Sequence, residues 1–194
     1  MTEKELIRGV IDGEREALSR LVEDHRHKVI KTAYYFLGNM EDAEDLAQDI
    51  FLEVVTSMEK FRQNARLSTW IYRITVNRSL NALKKKKRRG AFVWLESIAG
   101  MNTNTAEQPD GMNQPEQAMA AKENRKLLKE AVGALPKNQR TAFILCRYEE
   151  LPNREIAEIM GLSLSSVEAL LHRAKINLRE SLANQFTEYS TRKS

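Results

Sequence analysis

Residues 151–182 read LPNREIAEIMGLSLSSVEALLHRAKINLRESL, and the spacing of their apolar side chains decides the fold class. Asn153 to Met160 carries Ile156, Ala157 and Met160 at helical spacing, Gly161 supplies a tight turn, and a second helix follows from Ser163 or Ser165 to about Phe186. Two helices so closely joined, with a small residue where they cross, form a helix-turn-helix pattern whose second helix is free to enter a DNA major groove. In that helix Val167, Leu171, Ala174, Leu178 and Leu182 take the core positions. Glu168, His172, Lys175 and Arg179 therefore share an outward face, flanked by Arg173 and Asn177. Ser165 with Glu168 also matches a capping box, so Glu168 either accepts from a cytosine amino group or closes the helix start.

Upstream the same periodicity holds and alternation by twos is scarce, so the whole chain reads as all-α. Thr2 and Glu5 form a capping-box pattern, Gly13 punctuates, and a long helix runs through Ala17, Leu21, Val29 and Ala33 to Leu37, ending at Gly38-Asn39. The next helix puts Ala43, Leu46, Ala47, Ile50, Val54 and Met58 on one stripe and leaves Glu44, Asp45, Gln48, Asp49 and Glu53 outside it. A further helix starts near Ser68 or Thr69 and enters a basic run. From Gly90 to Ala121 there is no Lys or Arg, and MNTNTAEQPDGMNQP (101–115) is loop chemistry. The expected layout is thus two small helical domains, 1–90 and 115–194, joined by a flexible linker, 91–114. Pro115 suits the first turn of the second domain's opening helix, which carries Leu127, Leu128, Ala131, Val132 and Leu135 before Pro136 breaks it; a helix over 138–148 follows.

Charge is segregated. Thr32 to Glu59 holds no Lys or Arg but has Glu41, Asp42, Glu44, Asp45, Asp49, Glu53 and Glu59; Lys60 to Gly90 holds no Asp or Glu but has Lys60, Arg62, Arg66, Arg73, Arg78 and the run Lys84 to Arg89. A cationic stretch interleaved with Phe61, Trp70 and Tyr72 suits phosphates and unstacked bases, whereas an acidic helix repels nucleic acid and faces solvent or a basic protein. The net charge of +4 over 194 residues is informative only in this segregation. Cys146, the only cysteine, excludes an internal disulfide, and its apolar surroundings make it buried filler. His25 and His27, two apart on a helix, point to different sides and do not make a metal site. The start MTEKEL lacks a signal peptide's features, and the chain is expected to be cytoplasmic.

DAEDLAQDIFLEV (42–54), then F-R-x-x-A-x-x-S-T-W-I-Y-R-I-x-x-N-R-S-L-N (61–81), a basic run, a polar linker, LPKNQRTAFIL (135–145) and the helix-turn-helix, in that order, resemble a bacterial RNA polymerase sigma factor of the extracytoplasmic-function group of the sigma-70 family. The resemblance covers nearly the whole chain except the linker. It implies a region 2 bundle that binds core polymerase and melts the minus-ten element, and a region 4 helix-turn-helix that reads the minus-thirty-five element as duplex. Its polymerase-binding residues fall on Asp42, Glu44, Asp45, Gln48, Asp49 and Glu53, facing a basic coiled coil of the largest core subunit, with the second-largest subunit a further partner. Its base-capturing loop falls on Arg62, Gln63, Asn64, Ala65 and Arg66, and Asn77 helps to read an extruded base. Trp70 either packs beneath the loop or stacks on DNA; Arg73, Arg78 and the run from Lys84 hold phosphates. Minus-thirty-five contacts fall on Ser165, Ser166, Glu168, Ala169, His172, Arg173, Lys175 and Arg179.

By the same resemblance the chain is not an enzyme and takes no metal, cofactor or small-molecule substrate. It acts in the cytoplasm on the nucleoid, in a stress response, and is held inactive by an anti-sigma factor, membrane-bound in one version. The sequence departs from the family at Gln63, Arg66, Glu168 and Leu170, so the promoter sequence does not transfer. The mechanism is one of binding: phosphate contacts and captured bases offset the few kcal/mol that unpair the minus-ten region. The stretch from Gly90 to Ala121, about 30 residues, extends to about 100 Å, enough for the roughly 70 Å of two duplex turns. An ordinary helix-turn-helix regulator that never enters polymerase leaves the acidic helix and the aromatic-basic block without a purpose. A metal-dependent hydrolase built on Glu41, Asp42, Glu44 and Asp45 with His25 or His27 lacks ligand spacing.

Overall fold

Thr2 starts the first helix, α1 (Glu3–Ile11): its hydroxyl accepts from Glu5 N at 3.3 Å and its own N–H donates to Glu5 Oε2 at 2.7 Å. This computed structural model describes the backbone of residues 1–62, 65–98 and 127–193, and the side chains of these except 87–98 and 185–193. Gln63, Asn64, Pro115 and the chain from residue 99 to 126 lie outside the described residues.

Gly13, at φ +76°, turns the chain into α2 (Arg15–Leu37), and the two helices meet so closely that a Cβ on Gly9 would lie 2.7 Å from Ala17 Cβ. α2 stops at the left-handed Gly38, whose N–H donates to Tyr34 O at 2.7 Å, and Asn39 caps α3 (Met40–Thr56) by accepting from Asp42 N at 2.9 Å. A single 3-10 turn, Met58–Lys60, then leads to α4 (Leu67–Ile98).

α4 passes Gly90 and stays helical to Ile98, so the expected linker start at Ala91 is helix. The Lys, Arg, Ala and Leu around that point are good helix formers, and one glycine costs only about 1 kcal/mol against alanine. The shift in composition at Gly90 is not a helix stop. The second lobe comprises α5 (described over 127–134), α6 (Lys137–Arg147), α7 (Asn153–Met160) and α8 (Leu164–Lys193). Gly161, at φ +65°, makes the turn between α7 and α8, and α8 runs beyond the expected end near Phe186. The regular structure of the described residues is all helical, with no strand, and none of their helices is long and apolar enough to cross a membrane.

Two cores result. One gathers Leu6, Ile7, Val10, Leu21, Val29, Ile50, Val54, Met58, Phe61, Leu67 and Ile71 between α1, α2, α3 and α4. The other gathers Val132, Leu135, Ile144, Leu145, Ile156, Ile159, Val167, Leu171, Ala174 and Leu178, and continues without a break into Phe36 of α2 and Tyr72 and Val76 of α4. The second lobe thus packs directly on the first. Cys146 is half-buried against this second core, its thiol free.

Candidate polymerase and nucleic-acid interfaces

The stripe Ala43, Ala47, Ile50 and Val54 is buried, which fixes the rotation of α3 and sends Asp42, Glu44, Asp45, Gln48 and Asp49 into solvent. Glu53 is half-buried and pairs with Arg78 of α4; Asp42 pairs with Lys86 of α4 at 2.7 Å. Glu44, Asp45, Gln48 and Asp49 make no ion pair among the described residues. Between them stands Leu52, 66% exposed, at i+3 and i+4 from Asp49 and Gln48. The sequence reading passed over Leu52, although an apolar residue outside the buried stripe of an acidic helix is a visible signal.

α4 carries two sets of polar residues on different sides. Arg73, Asn77 and Lys84, at i, i+4 and i+11, lie on one exposed line. Arg78 lies about 140° around the helix from Arg73, turned to α3 and Glu53. Arg62 and Arg66 are exposed at the loop before α4, and Ala65 is half-buried there. The Asn77 amide is exposed and makes no hydrogen bond among the described residues. Trp70 packs on the first core with its ring centroid 5.1 Å from that of Phe61, so of its two expected roles the structure supports packing beneath the loop.

α8 buries Val167, Leu171, Ala174 and Leu178, leaving Ser165, Glu168, Ala169, His172, Arg173, Lys175 and Arg179 exposed and Ser166 half-buried. Ser163 is the cap: its Oγ accepts from Ser166 N at 3.2 Å and its carbonyl from Val167 N at 3.1 Å. This corrects the expected capping box. With the helix starting at Leu164, Glu168 is more than a turn inside and closes nothing. Its carboxylate is free to face a groove, whereas Arg173 Nε donates to Ala169 O at 3.2 Å. Exposed Ile176 extends the surface of Ala169 and His172, an apolar contribution that the sequence reading did not single out.

The seam between the lobes is polar as well as aromatic. The Tyr35 and Tyr148 rings stack at 4.0 Å, Lys31 Nζ donates to Tyr148 O at 2.7 Å, and Tyr72 OH donates to Glu149 Oε2 at 3.1 Å. Arg140 donates to Phe36 O and Lys129 to Gly38 O. The Glu149 side chain is 3% exposed; burial pushes its carboxyl above the ordinary range, against the pull of Lys31 at 3.9 Å and of the Tyr72 hydrogen bond. Burial, then the Glu149 charge, pushes the Tyr72 phenol up. Beside this seam Arg66 lies 3.9 Å from Glu155 of α7, and Arg73 donates to Glu158 O at the end of the same helix.

The family model described as Sigma-70 region 2 matches residues 21–89, and Sigma-70, region 4 matches residues 125–178. The RNA polymerase sigma factor SigW of Bacillus subtilis, of the extracytoplasmic-function group, is 30% identical over 180 residues, 92% of this chain and 96% of SigW. Among solved structures, CnrH, in complex with the cytosolic domain of CnrY, has the same fold at TM-score 0.66 and 19% identity, over 94% of this chain and 97% of CnrH. The sigma factor RpoE of Bartonella quintana, in complex with the anti-sigma factor NepR, has it at TM-score 0.58 and 21% identity, over 85% of this chain and 96% of RpoE. An exposed acidic face on α3, a basic line on α4 and a capped α8, in one chain with both region matches and a relative 30% identical over 96% of its own length, make this protein a member of the extracytoplasmic-function group of RNA polymerase sigma factors.

Proposed function

We propose that this alternative sigma factor docks on core RNA polymerase through α3 and holds promoter DNA through α4 and α8, each surface taking one partner. The observation that carries the reading is the division of α4: Arg78 and Lys86 turn to the acidic helix, whereas Arg73, Asn77 and Lys84 line a separate exposed side. Asp45, Gln48 and Asp49 around Leu52 give a basic coiled coil both charge complementarity and an apolar anchor; Glu44 adds charge at the edge. Asp42 and Glu53, paired within the chain, brace α3 as well as adding to its field.

On the DNA side, Arg62 and Arg66 with Gln63, Asn64 and Ala65 form the loop that takes a base of the minus-ten strand, Asn77 reads it, and Arg73 and Lys84 hold phosphates. α8 enters a major groove with Glu168, Ala169 and His172 at base edges, and Ser165, Ser166, Arg173, Lys175 and Arg179 at edges or phosphates. Sigma factors are not a family of catalytic enzymes, and the phosphodiester chemistry belongs to the polymerase. We keep the domain boundaries 1–90 and 115–194 as a proposal, with the helical reach to Ile98 added to the first. The complexes of CnrH with CnrY and of RpoE with NepR support an anti-sigma partner here as well, and the site of action is the cytoplasmic nucleoid.

Reconstitution tests the whole reading. Core polymerase loaded with this chain should initiate at a small set of sites on genomic DNA that core alone ignores. A chain that binds DNA but neither joins polymerase nor redirects it would be an ordinary regulator.

A further inference from the structure

Leu164 opens α8 and is 39% exposed, and among the described residues it joins neither core. Val167 and Leu171, three and seven residues on, are buried, which fixes the rotation of the helix and leaves Leu164 at the margin of its outward face. Glu168 is one turn further and about 40° around, and Lys175 about 20° around, both exposed. A leucine alone on a surface is ordinary. This one stands at the head of the exposed line that carries Glu168, His172 and Lys175, and the leading end of a helix in this motif is the end that meets base edges.

The first two turns of α8, Leu164 to Leu171, hold no Lys or Arg. Guanine presents two acceptors in the major groove and is most often read by a bidentate cation, which this stretch lacks. Its exposed side chains are instead one carboxylate, Glu168, one hydroxyl, Ser165, and two apolar groups, Leu164 and Ala169. Ser166 is half-buried and engaged with Ser163, their hydroxyls 2.7 Å apart, and Leu170 packs on the second core. An apolar side chain at a base edge has one complement in the major groove, the 5-methyl of thymine.

We propose that Leu164 is a specificity-determining residue that packs on the 5-methyl of a thymine close to the cytosine taken by Glu168. The proposal rests on the reading of α8 as the duplex reader. One turn advances about 6 Å along the helix, against 3.4 Å per base pair, so the thymine lies within about two base pairs of that cytosine. Purines present N7 toward the groove, and a leucine against N7 strips it of water and gives it no donor. Cytosine lacks the methyl. Thymine is the base that gains from the contact.

The test uses the full chain and a pool of random duplexes of about 20 base pairs. The tightest-bound duplex is remade with deoxyuridine in place of each thymine in turn, which removes a methyl and keeps every hydrogen-bonding group. Glu168→Gln marks the cytosine as the base pair whose preference it relaxes. Wild type should bind about fourfold more weakly when one thymine within about two base pairs of that cytosine loses its methyl, the worth of one buried methyl group. Leu164→Ala, with unchanged circular dichroism, should bind the two duplexes alike, and Leu164→Met, apolar and of similar volume, should restore the difference. Should Leu164→Ala unfold, Leu164→Gln, matched in length, must show the same loss of discrimination. No base pair relaxed by Glu168→Gln, no thymine beside it, a wild type indifferent to the methyl, or a Leu164 variant without the apolar group that still discriminates each overturns the assignment. Failure of the underlying reading shows separately, as Lys175→Ala and Arg179→Ala chains that bind the selected duplex as tightly as wild type.

Discussion

Tyr72 of the first lobe donates its hydroxyl to Glu149 of the second across 3.1 Å, linking residues 77 apart in sequence inside a partly buried seam. A hydrogen bond to a charged, buried acceptor is worth about 1.5 to 3 kcal/mol, more than most exposed ion pairs. Tyr72→Phe keeps the ring and its packing but strips the carboxylate of its best donor. The expected outcome is a looser seam, read as faster proteolysis between the lobes, and a fall in stability of about 1 to 2 kcal/mol in denaturant unfolding.

The same carboxylate makes the packing of the second lobe on the first, the closed form, depend on pH. Lys31 and His27 of α2 and Tyr72 of α4 are the titratable groups acting on it, and burial outweighs them, so its value in the closed form is raised. A raised value means that the closed form binds the proton more tightly than the open form. Closure is therefore fully supported below the ordinary carboxylate value and weakens as pH climbs through the raised one. Scattering between mildly acidic and neutral pH should show the radius of gyration growing with pH, and Glu149→Gln should abolish that trend. Equal trends in both proteins would place the titrating group elsewhere.

How legible these features were depended on distance along the chain. α3 and the α7–α8 turn were readable because Ala43 to Val54 and Val167 to Leu178 repeat at helical spacing within a dozen residues. Ser163 and Ser165 are equally good starts on paper, and only backbone geometry selects Ser163. The seam had no local signal. Lys31 meets Tyr148 across 117 positions, and Glu149 beside Glu150 looks like any solvated acidic pair. What buries Glu149 is the arrival of another lobe, which no periodicity records.

The polymerase surface predicts a graded response. Asp45→Lys with Asp49→Lys should abolish capture by core polymerase while circular dichroism stays native, since both side chains are exposed and unpaired among the described residues. Leu52→Ala should weaken capture by about 1 to 2 kcal/mol, roughly five- to thirtyfold, with no loss of stability, as expected of an apolar anchor ringed by charge. If Leu52→Ala captures polymerase as wild type does, the anchor lies off this face.

Asn77 separates melting from docking. Its amide is exposed and unengaged among the described residues, so Asn77→Ala should leave thermal stability within about 0.5 kcal/mol of wild type. A base reader acts only after the base leaves the stack, so the variant should form closed complexes normally and open them poorly. Permanganate reactivity of minus-ten thymines, set against filter binding before melting, distinguishes the two steps; equal loss in both would make Asn77 a general DNA contact.

Ser163, Glu168 and Arg179 on α8 should fail in three different ways. Ser163 caps the helix, so Ser163→Ala should cost about 1 kcal/mol of stability and change sequence preference little. Glu168 is exposed and plays no part in the cap, so Glu168→Gln should leave stability alone and relax preference at one base pair by about 1 to 3 kcal/mol. Arg179, about three turns further along the same exposed line, is placed for a phosphate. Arg179→Ala should weaken all sequences alike and flatten the salt dependence by about one unit. Binding-site selection from random duplexes with each variant, alongside thermal melts, separates the three. A Glu168→Gln protein that melts early but selects the wild-type site would return Glu168 to a structural role and leave base reading to Ala169 and His172.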